Sequence, residues 1–246
     1  MPKSKPFPTN RSRRTPTRPE ATEERPDPQP GTVTAITGQV RDPERVSVFI
    51  DGVFAIGLAR DVADAFGLHK DQVLDEAQLA DLLARNQLHR ATTSALNFLA
   101  YRPRSEGEIR RKLQQGAYPQ GTIEQVLERL REWRYVDDED FARRWIENRN
   151  ANRPRGERLL AQELKAKGID SDIMAEALEE AGIDEGAGAL SLARQRARQL
   201  RDLEPAVRER RLTGFLARRG YGFDVIRATL ETLDTEDEEL PQGDPK

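Results

Sequence analysis

Three stretches of this 246-residue chain end on glycine at a fixed interval. EIRRKLQQG closes at Gly116, AQELKAKG at Gly168 and GFLARRG at Gly220, 52 residues apart both times. Each is a basic amphipathic helix, then a stop, then a segment with apolar residues at helical spacing. Self-similarity at such a period marks a repeat architecture, in which each unit packs on its neighbours in the chain. A further helical segment precedes each copy, at residues 92–101, 138–150 and 184–200. The body therefore reads as three tandem three-helix repeats. One unit of this size buries little by itself. Three end to end predict an elongated rod, with a long surface rather than a pocket. The first copy departs in one detail. Gly116 follows Leu113 by three residues, whereas Gly168 and Gly220 follow Leu164 and Leu216 by four.

Local signals agree with this reading. Ile123, Val126, Leu127, Leu130 and Trp133 form one apolar stripe at helical spacing. Leu159, Leu160 and Leu164 form another, as do Ile173, Met174, Ala177 and Leu178, and Val225, Ile226, Leu230 and Leu233. Ser105 with Glu108 makes a capping box. Asp170 and either Asp137 or Asp138 are suited to cap the helices that follow them. Gly168 and Gly220 sit where a helix end takes a left-handed residue.

Before the repeats the period changes to two. Val46, Val48 and Ile50 alternate with Ser47 and Phe49, Asp51-Gly52 is a strong hairpin-turn signal, and Phe54, Ile56 and Leu58 alternate again. With residues 33–40 this predicts about three short strands, then short helices at 60–66 (closed by Gly67) and 75–85. The predicted organisation is a mainly α chain: a disordered Pro/Arg-rich tail (1–31), a small β-rich module (32–90), helical repeats at 91–136, 137–183 and 184–233, and an acidic disordered tail (234–246). The N-terminal tail holds eight of the fifteen prolines and almost no apolar residues, too few to offset chain entropy.

Net charge is −3, which on its face argues against an anionic partner. Its distribution reverses that. Residues 95–230 carry 26 Lys/Arg against 23 Asp/Glu, while residues 231–246 carry one against seven. Within the body, residues 141–167 hold eight basic and three acidic side chains, and residues 194–219 hold nine and three. An acidic tail hides basic helical segments.

The residues RSEGEIRRKLQQG (104–116), IEQVLERLREWRYVDDEDFARRWIENR (123–149) and RPRGERLLAQELKAKGID (153–170) resemble the RecX family of regulatory proteins. FLARRGYGFDVIRATL (215–230) is similar as well, and VFIDGVFAIGLARDV (48–62) resembles an N-terminal extension found in part of that family. The resemblance covers roughly residues 33–232. It implies a protein without covalent chemistry that binds filaments of the RecA recombinase on DNA, within their groove. It further implies modulation, mostly inhibition, of recombinase, ATPase and SOS-type activities in homologous recombination and DNA repair. Single- and double-stranded DNA are further implied partners.

Taken by themselves, the residues point away from catalysis. There is no cysteine, no phosphate-binding GxxxxGK[ST] loop and no G-x-S-x-G elbow, and His69 and His89 are the only histidines. No cofactor and no metal are expected. Asp137-Asp138-Glu139-Asp140 is better explained by the preference for acids at a helix N-terminus than by metal binding. No run of eighteen apolar residues exists and the N-terminus lacks an apolar signal core, so the expectation is a cytoplasmic monomer.

The candidate partner- or DNA-binding residues are the basic ones: Arg143, Arg144, Arg149, Arg153, Arg155, Arg158, Lys165 and Lys167 in the second repeat, and Arg208, Arg211, Arg218 and Arg219 in the third. The planar guanidinium fork suits carboxylates and phosphates. The plainer alternative is a solvated face paired internally with Glu147, Glu157 and Glu163. Trp133, Tyr135, Phe141 and Trp145 could serve as stacking platforms for single-stranded DNA, but their helical spacing assigns them to the core. Two functions remain: a protein-binding modulator of RecA filaments, or a DNA-binding protein that uses the basic faces of the repeats.

Overall fold

A computed structural model describes residues 27–239. The chain divides into two compact units, meeting between Leu83 and Ala84. The N-terminal unit holds four strands: β1 (Gly31–Gln39), β2 (Asp42–Ile50), β3 (Val53–Ala59) and β4 (Val73–Leu74). They form one antiparallel sheet in the order β3-β2-β1-β4. The β2–β3 hairpin turns at Asp51 and Gly52, both with positive φ, as the Asp-Gly signal requires. Alternation puts Val46, Val48 and Ile50 into a core with Val33, Leu58, Leu74, Leu79 and Leu82. Helix α1 (Arg60–Phe66) ends on Gly67 at φ 70°. The sequence predicted three strands; β4 is too short to show a period.

Helix α2 (Glu76–Leu99) is a second departure. The sequence suggested separate helices at 75–85 and 92–101, yet 24 residues run as one. No Gly or Pro interrupts them, and Asn86 and Ala91 take the buried positions between the two expected segments.

The second unit is helical. The end of α2 joins α3 (Glu106–Gln115) and α4 (Gln120–Glu132) in a first three-helix domain around Ile109, Leu113, Ile123, Leu127 and Leu130. α5 (Asp138–Asn152), α6 (Glu157–Lys167) and α7 (Ser171–Ala181) form the second around Ile146, Leu160 and Leu164. α8 (Glu185–Arg198), α9 (Pro205–Ala217) and α10 (Phe223–Glu239) form the third around Leu212, Leu216 and Ile226. α10 continues to Glu239, past residue 233, where the acidic tail was expected to begin. Arg194 pairs with Glu236 there, so part of that acidity is used on the third domain. Residues 1–26 and 240–246, where the remainder of both expected tails falls, lie outside the described residues.

The irregular first repeat has a simple cause. Gly168 and Gly220 are left-handed, at φ 84° and 91°, but Gly116 is at φ −81°. In the first repeat Ala117 takes that conformation, at φ 56°. The left-handed residue thus follows the buried leucine by four in all three copies, after Leu113, Leu164 and Leu216. In the second and third copies glycine is needed for a further reason. A Cβ on Gly168 would lie 2.9 Å from the Cα of Gly107, and one on Gly220 would overlap Leu159. Nothing comparable packs on Ala117, whose side chain is exposed. Any L residue at positive φ costs about 1 kcal/mol, but only the two glycines also permit a close backbone approach.

Those approaches build the domain junctions. The first turn of α3 meets the end of α6: Ser105 Oγ donates to the Lys167 carbonyl at 2.7 Å, and Arg111 reaches the same oxygen at 3.1 Å. The first turn of α6 meets the end of α9 in the same way, with Gly156 N donating to the Arg219 carbonyl at 2.9 Å. Asp138, at the start of α5, accepts from Glu106 N at 2.9 Å; Glu185, at the start of α8, accepts from Glu157 N at 2.7 Å. Each junction satisfies helix-end donors and acceptors that would otherwise lack partners.

Caps follow the expected residues with two adjustments. Ser105, Asp137 and Asp170 accept from backbone N–H groups of their first turns. Asp137 rather than Asp138 caps α5, which frees Asp138 for the junction. Glu108 does not close the capping box; its carboxylate is held by Arg102 and Lys167 instead.

Candidate partner and nucleic-acid interface

Between the first and second three-helix domains runs a groove of about 520 Å³. Its cations are Arg102, Arg104, Arg134, Arg144 and Arg149; its aromatic residues are Tyr135, Phe141 and Trp145; its acids are Asp137 and Asp140. The loop before α3 supplies Arg102 and Arg104, the end of α4 supplies Arg134 and Tyr135, and one face of α5 supplies the rest.

The walls are braced by carboxylates. Glu108 lies 2.8 Å from Arg102, 2.9 Å from Lys167 and 3.7 Å from Arg104. Burial alone would raise its pKa, but hydrogen bonds and charge from Arg102 and Lys167 outweigh burial and hold it at about 2. Glu163 accepts from Trp145 Nε1 at 2.9 Å and from Arg149 at 3.1 Å, and also pairs with Arg155. Arg144 pairs with Asp140 at 2.8 Å. Cations still exceed anions in this neighbourhood. Burial first, then the charges of Arg149, Arg219 and Arg153, push the Arg155 guanidinium below its ordinary pKa. Burial and Arg102 do the same to Arg104, against the pull of Glu108.

The four aromatic residues assigned to the core separate into two kinds. Phe141 is buried and stacks on Trp145 at 5.8 Å between centroids. Trp145 carries Arg149 at 4.1 Å and Lys167 at 4.9 Å from its ring centre, so its faces are occupied. These two are structural, as the spacing indicates. Trp133 and Tyr135 are not in the core: they are 49% and 60% exposed and meet edge-to-face at 6.3 Å. The cause is local. α4 ends at Glu132, and Arg134 turns left-handed at φ 56°, so the apolar stripe does not extend to Trp133. At the matching end of α7 the left-handed residue is Gly182.

Of the basic candidates, Arg144 and Arg149 line this groove. Arg153 and Arg219 line a second one, of about 460 Å³, between the second and third domains, together with Arg196, Phe215, Ser191, Gln195 and Gln199. Arg219 and Arg196 lie 5.3 and 5.8 Å from the Phe215 ring centre, a cation–π arrangement. Arg155 and Lys167 act as braces behind the first groove. Arg143 faces Glu180 at 3.7 Å, and Arg208 lies 3.8 Å from Asp234. Arg158, Lys165, Arg211 and Arg218 are exposed and line neither groove. Sequence reasoning missed Arg102, Arg104, Arg134 and Arg196. For Arg134 a signal existed: it stands between two aromatics just past a helix end.

Among the described residues no group of three or more His, Asp or Glu could hold a metal ion, and no helix is long and apolar enough to cross a membrane.

Comparison with known proteins accounts for nearly all the described chain. Family models for the RecX N-terminal domain and for the first, second and third RecX three-helix domains match residues 31–75, 91–130, 137–178 and 184–230. Regulatory protein RecX of Bacillus velezensis is 32% identical over 208 residues, which cover 84% of this chain and 79% of that protein. The RecX of Mycolicibacterium vanbaalenii is 38% identical over 169 residues, 63% of this chain and 90% of that protein. A crystal structure of regulatory protein RecX superposes with a TM-score of 0.64 at 27% identity, covering 81% of this chain and 98% of that one. The RecX structure from Lactobacillus salivarius, at 21% identity and TM-score 0.55, shows the fold alone. With its β module and three helical domains all matched in order, the chain belongs to the RecX family of regulatory proteins, which are not enzymes.

Proposed function

We propose that this chain regulates the RecA recombinase by binding RecA filaments on DNA, in the cytoplasm, and that its main effect is inhibition of recombinase, ATPase and SOS-type activities. Family membership supports the partner. The observation that supports the mode is the arginine-lined groove between the first two domains. Four of its five guanidinium groups, those of Arg102, Arg104, Arg144 and Arg149, are braced by Glu108, Asp140 and Glu163, so little side-chain freedom is lost when they meet an acidic surface. A chain of three joined domains can contact more than one protomer of a filament, and bridging protomers would hinder the changes each makes on turnover.

The candidate set narrows on this reading to Arg144 and Arg149, with Arg134, Arg102 and Arg104 added. Arg153 and Arg219 belong to the second groove and contribute less. The test is RecA-catalysed ATP hydrolysis on single-stranded DNA, titrated with this protein. Progressive inhibition is expected, and absence of any effect at every ratio removes the proposal. Direct DNA binding is the second reading, favoured by the exposed aromatics beside the groove. Binding to bare duplex DNA should fall with salt at a slope of about −0.9 per phosphate contacted. Equal affinity for bare DNA and for the filament at physiological salt would favour that reading over the first.

A further inference from the structure

The two grooves use corresponding positions of successive repeats, and the second keeps the cations of the first without its acids. Arg102 and Arg153 each stand three residues before the residue that crosses the junction, Ser105 or Gly156. Arg149 and Arg196 each follow a fully buried alanine, Ala142 or Ala189, by seven. Lys167 and Arg219 each immediately precede the left-handed glycine. The acids do not recur. Glu108, three residues after Ser105, gives way to Leu159, three after Gly156. Glu163, five before Gly168, gives way to Phe215, five before Gly220. In the first groove Glu108 holds Arg102 and Lys167, and Glu163 holds Arg149. In the second, none of Arg153, Arg196 and Arg219 forms an ion pair among the described residues. Arg196 and Arg219 are half-buried, and the partners they have are neutral: the Phe215 ring for both, and Gln199 Oε1 for Arg196. A guanidinium partly removed from water without an anion carries a desolvation cost that no partner offsets.

We propose that the groove between the second and third domains binds a compact polyanion of the oligophosphate class, which takes the place that Glu108 and Glu163 fill in the first groove. Guanidinium forks accept phosphate oxygens in pairs. Ser191, Gln195 and Gln199 line the same space with hydroxyl and amide donors. The space, about 460 Å³, is of small-ligand size. A nucleic-acid strand fits less well. Phe215 is the only ring among the lining residues, and it already carries both guanidinium groups, so no face is left for a base. A protein carboxylate fits less well too, since it brings one charge per side chain to three cations in one groove. The filament reading concerns the other groove, and this inference does not rest on it.

The test is calorimetric titration of the full chain with inorganic tripolyphosphate, in magnesium-free buffer at ionic strength held constant with sodium chloride. Saturable binding is expected, with a rise in melting temperature as tripolyphosphate is added. Arg196→Gln with Arg219→Gln should weaken binding at least about 10-fold, through loss of two charge-assisted contacts. Arg134→Gln with Arg144→Gln, in the first groove, should leave it unchanged. Phe215→Glu puts the first groove's acid into the second and should also abolish binding; the glutamine pair keeps the test open should that variant fail to fold. ATP offers the same phosphate chain from a second source and should bind equally, because no ring is free for its base. Absence of saturable binding at millimolar tripolyphosphate overturns the inference, as does binding that survives in the Arg196→Gln, Arg219→Gln protein. Binding of ATP without tripolyphosphate overturns it in favour of a nucleoside site. An oligonucleotide that binds through Arg196 and Arg219 where tripolyphosphate does not would overturn it in favour of an extended anion.

Discussion

The two domain junctions share a backbone and differ in their side chains. In both, a carboxylate at the start of one helix accepts from the first N–H of another, through Asp138 or Glu185. In both, a left-handed glycine admits a close contact with the preceding domain, through Gly168 or Gly220. The first junction carries five arginines and exposed aromatics beside them; the second carries three arginines among Ser191, Gln195 and Gln199. The shared part is what a tandem repeat needs to stack. The unshared part is where the proposed sites lie.

The largest effect should come from the shared part. Gly220→Val adds a β-branched side chain at positive φ where Leu159 already sits, and should cost at least about 3 kcal/mol in urea unfolding. Gly168→Val should behave alike, against Gly107. Ala117→Val, at the equivalent position without a junction, should cost only about 1 kcal/mol. Equal losses at 117 and 168 would show that φ alone, and not the close approach, selects glycine.

Function should separate the two junctions next. Arg134→Glu with Arg144→Glu should raise the concentration needed to inhibit RecA ATP hydrolysis by 10-fold or more. Arg153→Glu with Arg196→Glu should raise it by about 3-fold or less, since fewer charge-assisted bonds are available in the second groove. The reverse order would place the site at the second junction. Arg155 is unsuitable for such a test because its reversal also breaks the Glu163 brace.

A smaller, pH-dependent effect belongs to the first junction. Burial, more than the charges of Glu106 and Asp137, pushes Asp138 up to about 6. The folded pKa lies above the unfolded value, so the folded chain holds this proton better. The group's contribution is therefore complete below about pH 4 and is lost as pH rises through about 6. Asp138→Asn keeps an acceptor for Glu106 N without the charge. It should flatten this dependence and stabilise the protein at neutral pH by at most about 1 kcal/mol after solvent screening. Unaltered pH dependence between 4 and 7 would exclude Asp138 as its source. Glu108 works in the opposite sense: its contribution is present above about pH 4.5 and is lost as pH falls through about 2.

The smallest effect concerns strain. Arg134→Gly removes the left-handed penalty but adds chain entropy, for a net gain of about 0.5 kcal/mol in stability. On the DNA-binding reading, the same variant should weaken oligothymidylate binding and lower its salt slope by about 0.7, one phosphate contact on a single strand. An unchanged slope would remove Arg134 from the groove's phosphate contacts.

Much of this was legible in the residues. The 52-residue interval announced three similar units, Asp51-Gly52 marked the hairpin, and Ser105, Asp137 and Asp170 marked helix starts. These are local properties, set by φ preferences, capping chemistry and periodic burial. The limits were equally physical. Trp133 continued an apolar stripe on paper, because spacing says nothing about where the helix stops supplying a buried face. Charge counts picked out residues 141–167 as basic but could not tell a brace such as Arg155 from an exposed guanidinium such as Arg158, because pairing with Glu163 joins residues from different elements.

The sequence by itself determined the number of repeats, the β module before them, the absence of a catalytic constellation and the family. Each depends on neighbours along the chain or on period. Tertiary structure alone decided which arginines face one another, that Asp138 serves α3 rather than its own helix, and that two of four aromatics stand in the open. Those outcomes depend on contacts between domains, where residues 28 to 63 positions apart meet beside glycines that let two backbones touch.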